Sequence, residues 1–199
     1  SGYNNLLPMT YMRPVYDLFC GMASLQEKLV RSFPQASITL HTRSVLENVV
    51  RNRYPDCLVN NFPADLKEIM FINGRTLLNS ETVLNKLGKD QSFTINDKIV
   101  AARLSGDQLT STIKEVQNGT TFNLDETVIE KQEIDGVLVE YIWDLIQANG
   151  DQIRSDFTFA TQGKRESIID DGTVIHNQNV FIDKTAKIMP QVVIDGSNG

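Results

Sequence analysis

The chain has 199 residues, 41% of them hydrophobic, enough for one substantial domain and a small appendage. Its net charge is −6 with acidic and basic residues intermixed, which argues against a nucleic-acid-binding face but not against a phosphorylated small molecule. No stretch approaches the ~20 apolar residues of a bilayer span and no leader reads as a secretory signal, so a cytoplasmic protein with no membrane partner is expected.

In chain order, "GMASLQEKLVRSF" predicts a helix with Leu25, Leu29 and Phe33 on one face. Ser24 is its expected N-cap, Glu27 completes a capping box, and Pro34 ends it. "ASITL" reads as a short strand and "RSVLENVVRNRY" as a second helix, followed by the turn-rich "PDCLVNNFPAD". "EIMFIN" is a buried-strand candidate closed by Asn73-Gly74. "SETVLNKL" is expected to be helical, and "SFTIND" and "KIVAARL" to be strands joined at an Asn-Asp turn. "SGDQLTSTIKEVQNG" predicts a helix stopped at Gly119, then strands in "TTFNL" and "TVIEKQEI". The longest helical stretch, "VLVEYIWDLIQANGDQIRSDF", is expected to break at Asn149-Gly150. Alternating helix and strand signals of this kind point to an α/β sandwich. Cys20 and Cys57 have no metal-ligand spacing, and a disulfide is not expected without an export signal. Asn118-Gly119-Thr120 fits a glycosylation sequon but reads more simply as a turn.

A different rhythm governs the last thirty residues. Val174, Val180, Ala186 and Val192 recur every six positions, as do Ile182, Ile188 and Ile194. A parallel β-helix that turns a corner every six residues needs small or branched aliphatic side chains at such positions, because its interior is narrow. An ordinary strand pair with recurring aliphatics is the plainer alternative. His176 falls in the next isoleucine slot upstream, so the first coil is expected to be irregular. About one and a half turns precede Gly199, and the chain reads as the start of a longer solenoid whose coils lean on their neighbours.

One further stretch carries a resemblance. Leu6-Leu7-Pro8-Met9-Thr10 followed by Arg13-Pro14 resembles the second half of a sugar-1-phosphate nucleotidyltransferase signature. In that signature a glycine-rich loop leads into Leu-x-Pro-Leu-Thr and then Pro-Lys. With "DLFCG", "FINGR" and the hexads, nearly the whole chain resembles the bacterial GlmU-like sugar nucleotidyltransferase family. The resemblance implies a nucleotidyltransferase-like three-layer αβα sandwich over 1–163, then the start of a left-handed parallel β-helix over 164–199. It also implies a nucleoside triphosphate and a sugar-1-phosphate as substrates, Mg²⁺ with no ligands assigned, and homo-oligomers through the β-helix of a full-length protein. Two departures follow. The glycine-rich half of the signature and the strand before it are absent ahead of Tyr3, so little pyrophosphorylase turnover is expected from these 199 residues alone. And where the family pattern has a Gly-Asp whose Asp holds Mg²⁺, Gly74 is followed by Arg75.

Nucleotidyl transfer crowds negative charge at one phosphorus, so the protein must supply cations and donors. Arg13, after a proline-shaped loop, offers a planar fork of donors and is the candidate catalytic and phosphate-binding residue, with the Thr10 hydroxyl beside it. Equally, Pro8 and Pro14 shape a surface connection and Arg13 is simply solvated. Asn73, Gly74 and Arg75 follow a strand end, where α/β proteins place ligands, and are candidates for sugar or phosphate contact. The bland alternative is a turn with an exposed arginine. His41 could line the same edge, although a lone histidine is more often structural; Asp17, Asp170 and Asp171 have no assigned partner. Two other functions stay open. One is a nucleotide- or sugar-binding regulatory module without catalysis; the other is an acyltransferase with its active site in further β-helix.

Overall fold

The computed structural model describes residues 2–63, 65–78, 81–117, 129–161, 167–177 and 179–197. The chain divides into two compact units, Ser1–Asn149 and Gly150–Gly199.

The first unit opens on a 3₁₀ turn (Tyr3–Leu6), an irregular segment to Arg13, a second 3₁₀ turn (Val15–Asp17) and a small hairpin, β1 (Phe19–Cys20) with β2 (Ala23–Ser24). Helix α1 (Leu25–Val30) begins where the capping-box pattern places it. The Ser24 hydroxyl accepts from the Glu27 amide at 3.2 Å, and Glu27 accepts from the Ser24 amide at 2.7 Å. The second predicted helix forms as a 3₁₀ turn (Ser44–Leu46) running into α2 (Glu47–Arg53). It lies between the parallel strands β3 (Thr39–Leu40) and β4 (Leu58–Val59), and Leu46, Val50, Leu40 and Val59 form their shared core.

The main sheet is four-stranded and mixed. β5 (Glu68–Ile72) and β7 (Gln91–Ile95) flank the long β8 (Lys98–Ser105), both antiparallel, and β9 (Glu130–Glu133) joins the outer side of β7 in parallel. The β7–β8 connection is the predicted Asn-Asp turn. Asn96 (φ 50°) and Asp97 (φ 62°) both adopt left-handed backbone, as a two-residue hairpin requires. Phe93, Val100 and Ala101 seal one core with Leu84 and Leu87. "SETVLNKL" forms a 3₁₀ helix (Glu81–Lys86) rather than an α-helix. α3 (Gly106–Gln117) follows β8 directly; its expected stop at Gly119 and the "TTFNL" strand lie outside the described residues. β6 (Thr76–Leu78) leaves the main sheet and pairs with β10 (Gly136–Leu138).

One boundary differs from expectation. α4 (Ile142–Asp156) runs through Asn149 and Gly150 without a break. A glycine within a helix costs only about 1 kcal/mol, too little to offset continued hydrogen bonding on both sides. Asn149 is also engaged: its side-chain oxygen accepts the Gly21 amide at 2.7 Å.

In the second unit, β11 (Ile168–Ile169) pairs in parallel with β13 (Lys187–Ile188), and β12 (Val174–His176) with β14 (Val193–Asp195). Ile168 faces Lys187 and Val174 faces Val193, so one layer repeats the other at a constant offset of nineteen residues. The hexad pattern, extended upstream, would set His176 against Ile194; Ile175 stands there instead. The pairing is thus one residue out of the hexad phase; Asn177, within the offset, adopts left-handed backbone (φ 75°), its Nδ2 donating to the Gly196 carbonyl at 3.3 Å. Val180 and Ile182 are buried as the hexads require, but Val174 points outward at 46% exposed. Ile182→Asp should therefore destabilise this unit by about 3 kcal/mol or more, whereas Val193→Asp, at 61% exposure, should change it by under about 0.5 kcal/mol. Hydrogen exchange across residues 168–197 reads both, and equal effects would refute the inside-outside assignment.

Candidate functional site

The segment 2–13 is built from successive turns, with the Thr10 amide donating to the Leu6 carbonyl at 3.3 Å and the Tyr11 amide to that of Pro8 at 3.0 Å, and a distant arginine also holds it. Arg43, just ahead of the turn leading into α2, does so with one guanidinium. It donates to the Thr10 carbonyl, reaches the Tyr11 carbonyl at 3.5 Å, and lies 4.4 Å from the Tyr3 ring centroid in a cation–π contact. Thr10 is fully buried, and its hydroxyl donates to the Tyr3 carbonyl at 3.1 Å. The Thr10 side chain therefore closes the loop on itself and does not present its hydroxyl outward. Arg13 is exposed and makes no hydrogen bond or ion pair with any described residue.

The Asn73-Gly74-Arg75 turn caps β5 as the sequence suggests. Asn73 Oδ1 accepts the Arg75 amide at 3.1 Å, and its carbonyl accepts the Thr76 amide at 3.0 Å. Gly74 lies against Tyr16: a Cβ there would stand 2.9 Å from the tyrosine Cβ, so only glycine allows this approach. The Arg75 side chain is half-buried. Its Nη1 donates to the Val139 carbonyl at 3.1 Å, while its Nε is buried with no partner. The guanidinium packs on Gly2, where an added Cβ would come within 2.5 Å of Nη1. Burial lowers the Arg75 pKa, opposed by the nearby Glu140 carboxylate, which is itself paired with Lys98.

Arg43 and Arg75 thus each pack on the segment that carries Arg13, and none of the three forms a salt bridge with a described carboxylate. A guanidinium has the planar donor geometry that matches a carboxylate or a phosphate. Arg43 was not evident from sequence, since only the fold brings it against residues 3–11. No contact between Arg13 and Arg75 is present. Asp17 proves to be structural: buried, it accepts from Arg53 and, at 2.8 Å, from the Tyr54 hydroxyl. Asp170 and Asp171 lie in the other unit.

A family model described as sugar nucleotidyl transferase matches residues 1–165. The chain belongs to that family. No curated protein matches the chain. Membership carries an α/β nucleotidyltransferase-like domain, nucleotidyl transfer as the general function, and nucleotide and sugar phosphate as substrate classes. The Mg²⁺ that the sequence resemblance implies finds no ready ligand set at the turn. Asn73 Oδ1 is committed to the Arg75 amide, Asp17 to Arg53 and Tyr54, and no three His, Cys, Asp or Glu side chains cluster among the described residues. No helix of the described residues is long and apolar enough to cross a membrane.

A cavity of about 610 Å³ is lined by residues of α1, β3 and β5, by Phe62, Pro63 and Leu66, and by Tyr16 and Gly74. His41 lines it, its ring 4.6 Å from that of Phe62, which meets Phe71 edge-on at 6.1 Å.

Two predictions follow from these contacts. Arg43→Ala should cost about 2 kcal/mol by removing charged hydrogen bonds and a cation–π contact, and should speed amide exchange over residues 3–12. Arg43→Lys, lacking the fork, should restore less than half; unchanged exchange in Arg43→Ala would remove Arg43 as the clamp. His41 has its pKa lowered from 6.5 by burial, so it stays neutral in the fold at pH values where the unfolded chain binds a proton. Stability should then fall as pH drops below about 6.5, down to the folded-state pKa, and this dependence should flatten in His41→Phe when thermal unfolding is followed against pH.

Proposed function

We propose that the protein is a sugar-1-phosphate nucleotidyltransferase, moving a nucleotidyl group from a nucleoside triphosphate to a sugar-1-phosphate with release of pyrophosphate. The observation that carries this reading is the sugar nucleotidyl transferase family match over residues 1–165, and the exposed Arg13 on the segment that Arg43 and Arg75 hold supports it. Arg13 is free to grip a phosphate with its planar fork. Arg75, with an unpaired buried Nε, supplies a fixed positive charge at the turn, and Asn73 and Gly74 shape the backbone there. Arg43 holds the loop in place. Thr10 contributes by fixing loop shape rather than through its hydroxyl. Mg²⁺ belongs to this proposal as the ion that accompanies the triphosphate and neutralises its oxygens.

A second reading, a nucleotide- or sugar-binding module without turnover, is favoured by one feature: Arg75 occupies the position where the resemblance calls for a metal-binding aspartate. A cation cannot serve as a metal ligand. The parallel nineteen-residue stacking in 168–195 supports reading residues 164–199 as the beginning of a left-handed β-helix, a surface through which copies of a longer chain would associate.

Pyrophosphate release across the common nucleoside triphosphates and hexose-1-phosphates tests the enzyme reading. Activity is expected to fall at least 100-fold, about 2.7 kcal/mol of transition-state stabilisation, in Arg13→Ala and in Arg75→Ala. Triphosphate binding by calorimetry with no turnover on any sugar phosphate would select the binding module instead.

A further inference from the structure

We propose that the cavity between β3 and β5 is a slot for one further β-strand, filled by an apolar segment of a longer chain that leads into Gly2. This goes beyond the nucleotidyl reading and does not depend on it. Two strand edges face the cavity. β3 pairs only with β4, and β5 ends the order β5-β8-β7-β9, so each keeps one edge unpaired among the described residues, and residues of both line the cavity. The ladder to β8 shows which groups of β5 are left over. The Asn73 amide donates to the Val100 carbonyl at 2.8 Å, and in an antiparallel pair such bonds recur at every second residue. Asn73, Phe71 and Ile69 therefore turn their backbone groups to β8, and Met70 and Ile72 turn theirs to the open edge. Such a row of amides and carbonyls is a template for another strand.

Burial points the same way. Ile69, Met70, Phe71 and Ile72 are apolar yet only half-buried, whereas Val100, Ala101, Ala102 and Leu104 on the adjoining β8 are fully buried. Of the lining residues only Glu68 is charged, and Arg103 holds its carboxylate at 2.5 Å, so the occupant is apolar. Gln26 Oε1 and His41 Nε2 belong to lining residues, and both are buried with no hydrogen-bond partner. Unmet polar atoms are costly in an apolar wall, and an extended chain brings backbone amides and carbonyls that can meet them.

Gly2 identifies the segment and its direction. The Arg75 guanidinium packs on Gly2, and Gly74, the residue before Arg75, lines the cavity just past the carboxyl end of β5. Chain leading into Gly2 therefore leaves the slot at that end and runs parallel to β5. Tyr16 meets Gly74 and also packs on the cluster of Leu40 and Val59, so the carboxyl end of β3 lies there too, and the added strand is parallel to both neighbours. At about 3.3 Å per residue, roughly five residues match β5, and a short connection places them within about ten residues of Gly2. A strand flanked on both sides and covered by apolar walls calls for a continuous aliphatic or aromatic run without proline.

The test compares the product of the complete reading frame with the 199-residue chain. The frame ahead of Ser1 is the first check: an apolar run of about five residues is expected within about ten of Gly2, and its absence overturns the proposal. Amide exchange by NMR then reads the open edge. Met70 and Ile72 should exchange about 100-fold or more slowly in the longer protein than in residues 1–199, with nuclear Overhauser contacts to the apolar run. Those contacts decide by themselves should the shorter chain not fold. Met70→Pro removes an amide from the open edge and none from the β8 ladder. It should lower the unfolding midpoint of the longer protein further than Met70→Ala does, and that of the 199-residue chain no further. Equal effects of the two substitutions in the longer protein would overturn the slot, as would equally fast exchange in both proteins. Slow exchange with contacts from another segment, or from a second copy in a concentration-dependent way, would overturn the assigned occupant.

Discussion

A guanidinium stays charged wherever it is placed, and when no carboxylate is near it must find carbonyl oxygens, an aromatic face or an outside anion. Arg43 takes the first two. By binding the Thr10 and Tyr11 carbonyls and covering the Tyr3 ring, it gives an otherwise irregular stretch a defined shape. Arg13 lies on that stretch, and Arg75 packs against its start at Gly2. Leu6, fully buried among Leu18, Leu25, Leu77 and Val139, anchors the same segment to the core from below.

Gly74 and Tyr16 meet in one close contact, and both line a cavity whose only charged lining residue is Glu68. Tyr16 has its hydroxyl pushed upward in pKa by burial and then by the adjacent Asp17 carboxylate, so it stays a neutral phenol at physiological pH. Asp17 in turn is neutralised by Arg53 and Tyr54.

The second unit shows how a shift of one residue changes the reading of a repeat. Six-residue periodicity correctly selected Val180 and Ile182 as interior, since alternation and corner spacing are local properties of extended chain. It failed upstream of Asn177. There the pairing is one residue out of phase, with Val174 exposed and Ile175 opposite Ile194. Asn177, within the offset, adopts left-handed backbone, which asparagine tolerates better than most residues, but nothing in the six-residue pattern marks the change of phase.

What the sequence determined by itself is what short-range chemistry settles: the Ser24–Glu27 capping box, the Asn96-Asp97 hairpin and the Asn73 turn closing β5. Each needs only neighbours within a few residues. The tertiary structure alone decided which groups far apart in the chain share an environment. It brought Arg43 to Thr10, Arg75 to Gly2 and Val139, Asp17 to Arg53, and Gln26 and His41 to one cavity. It also spent the Thr10 hydroxyl on a backbone carbonyl and carried α4 through Asn149-Gly150. The physical reason is the same in each case: whether a donor, a charge or a helix end is free depends on the partners that packing supplies, and spacing along the chain does not encode them.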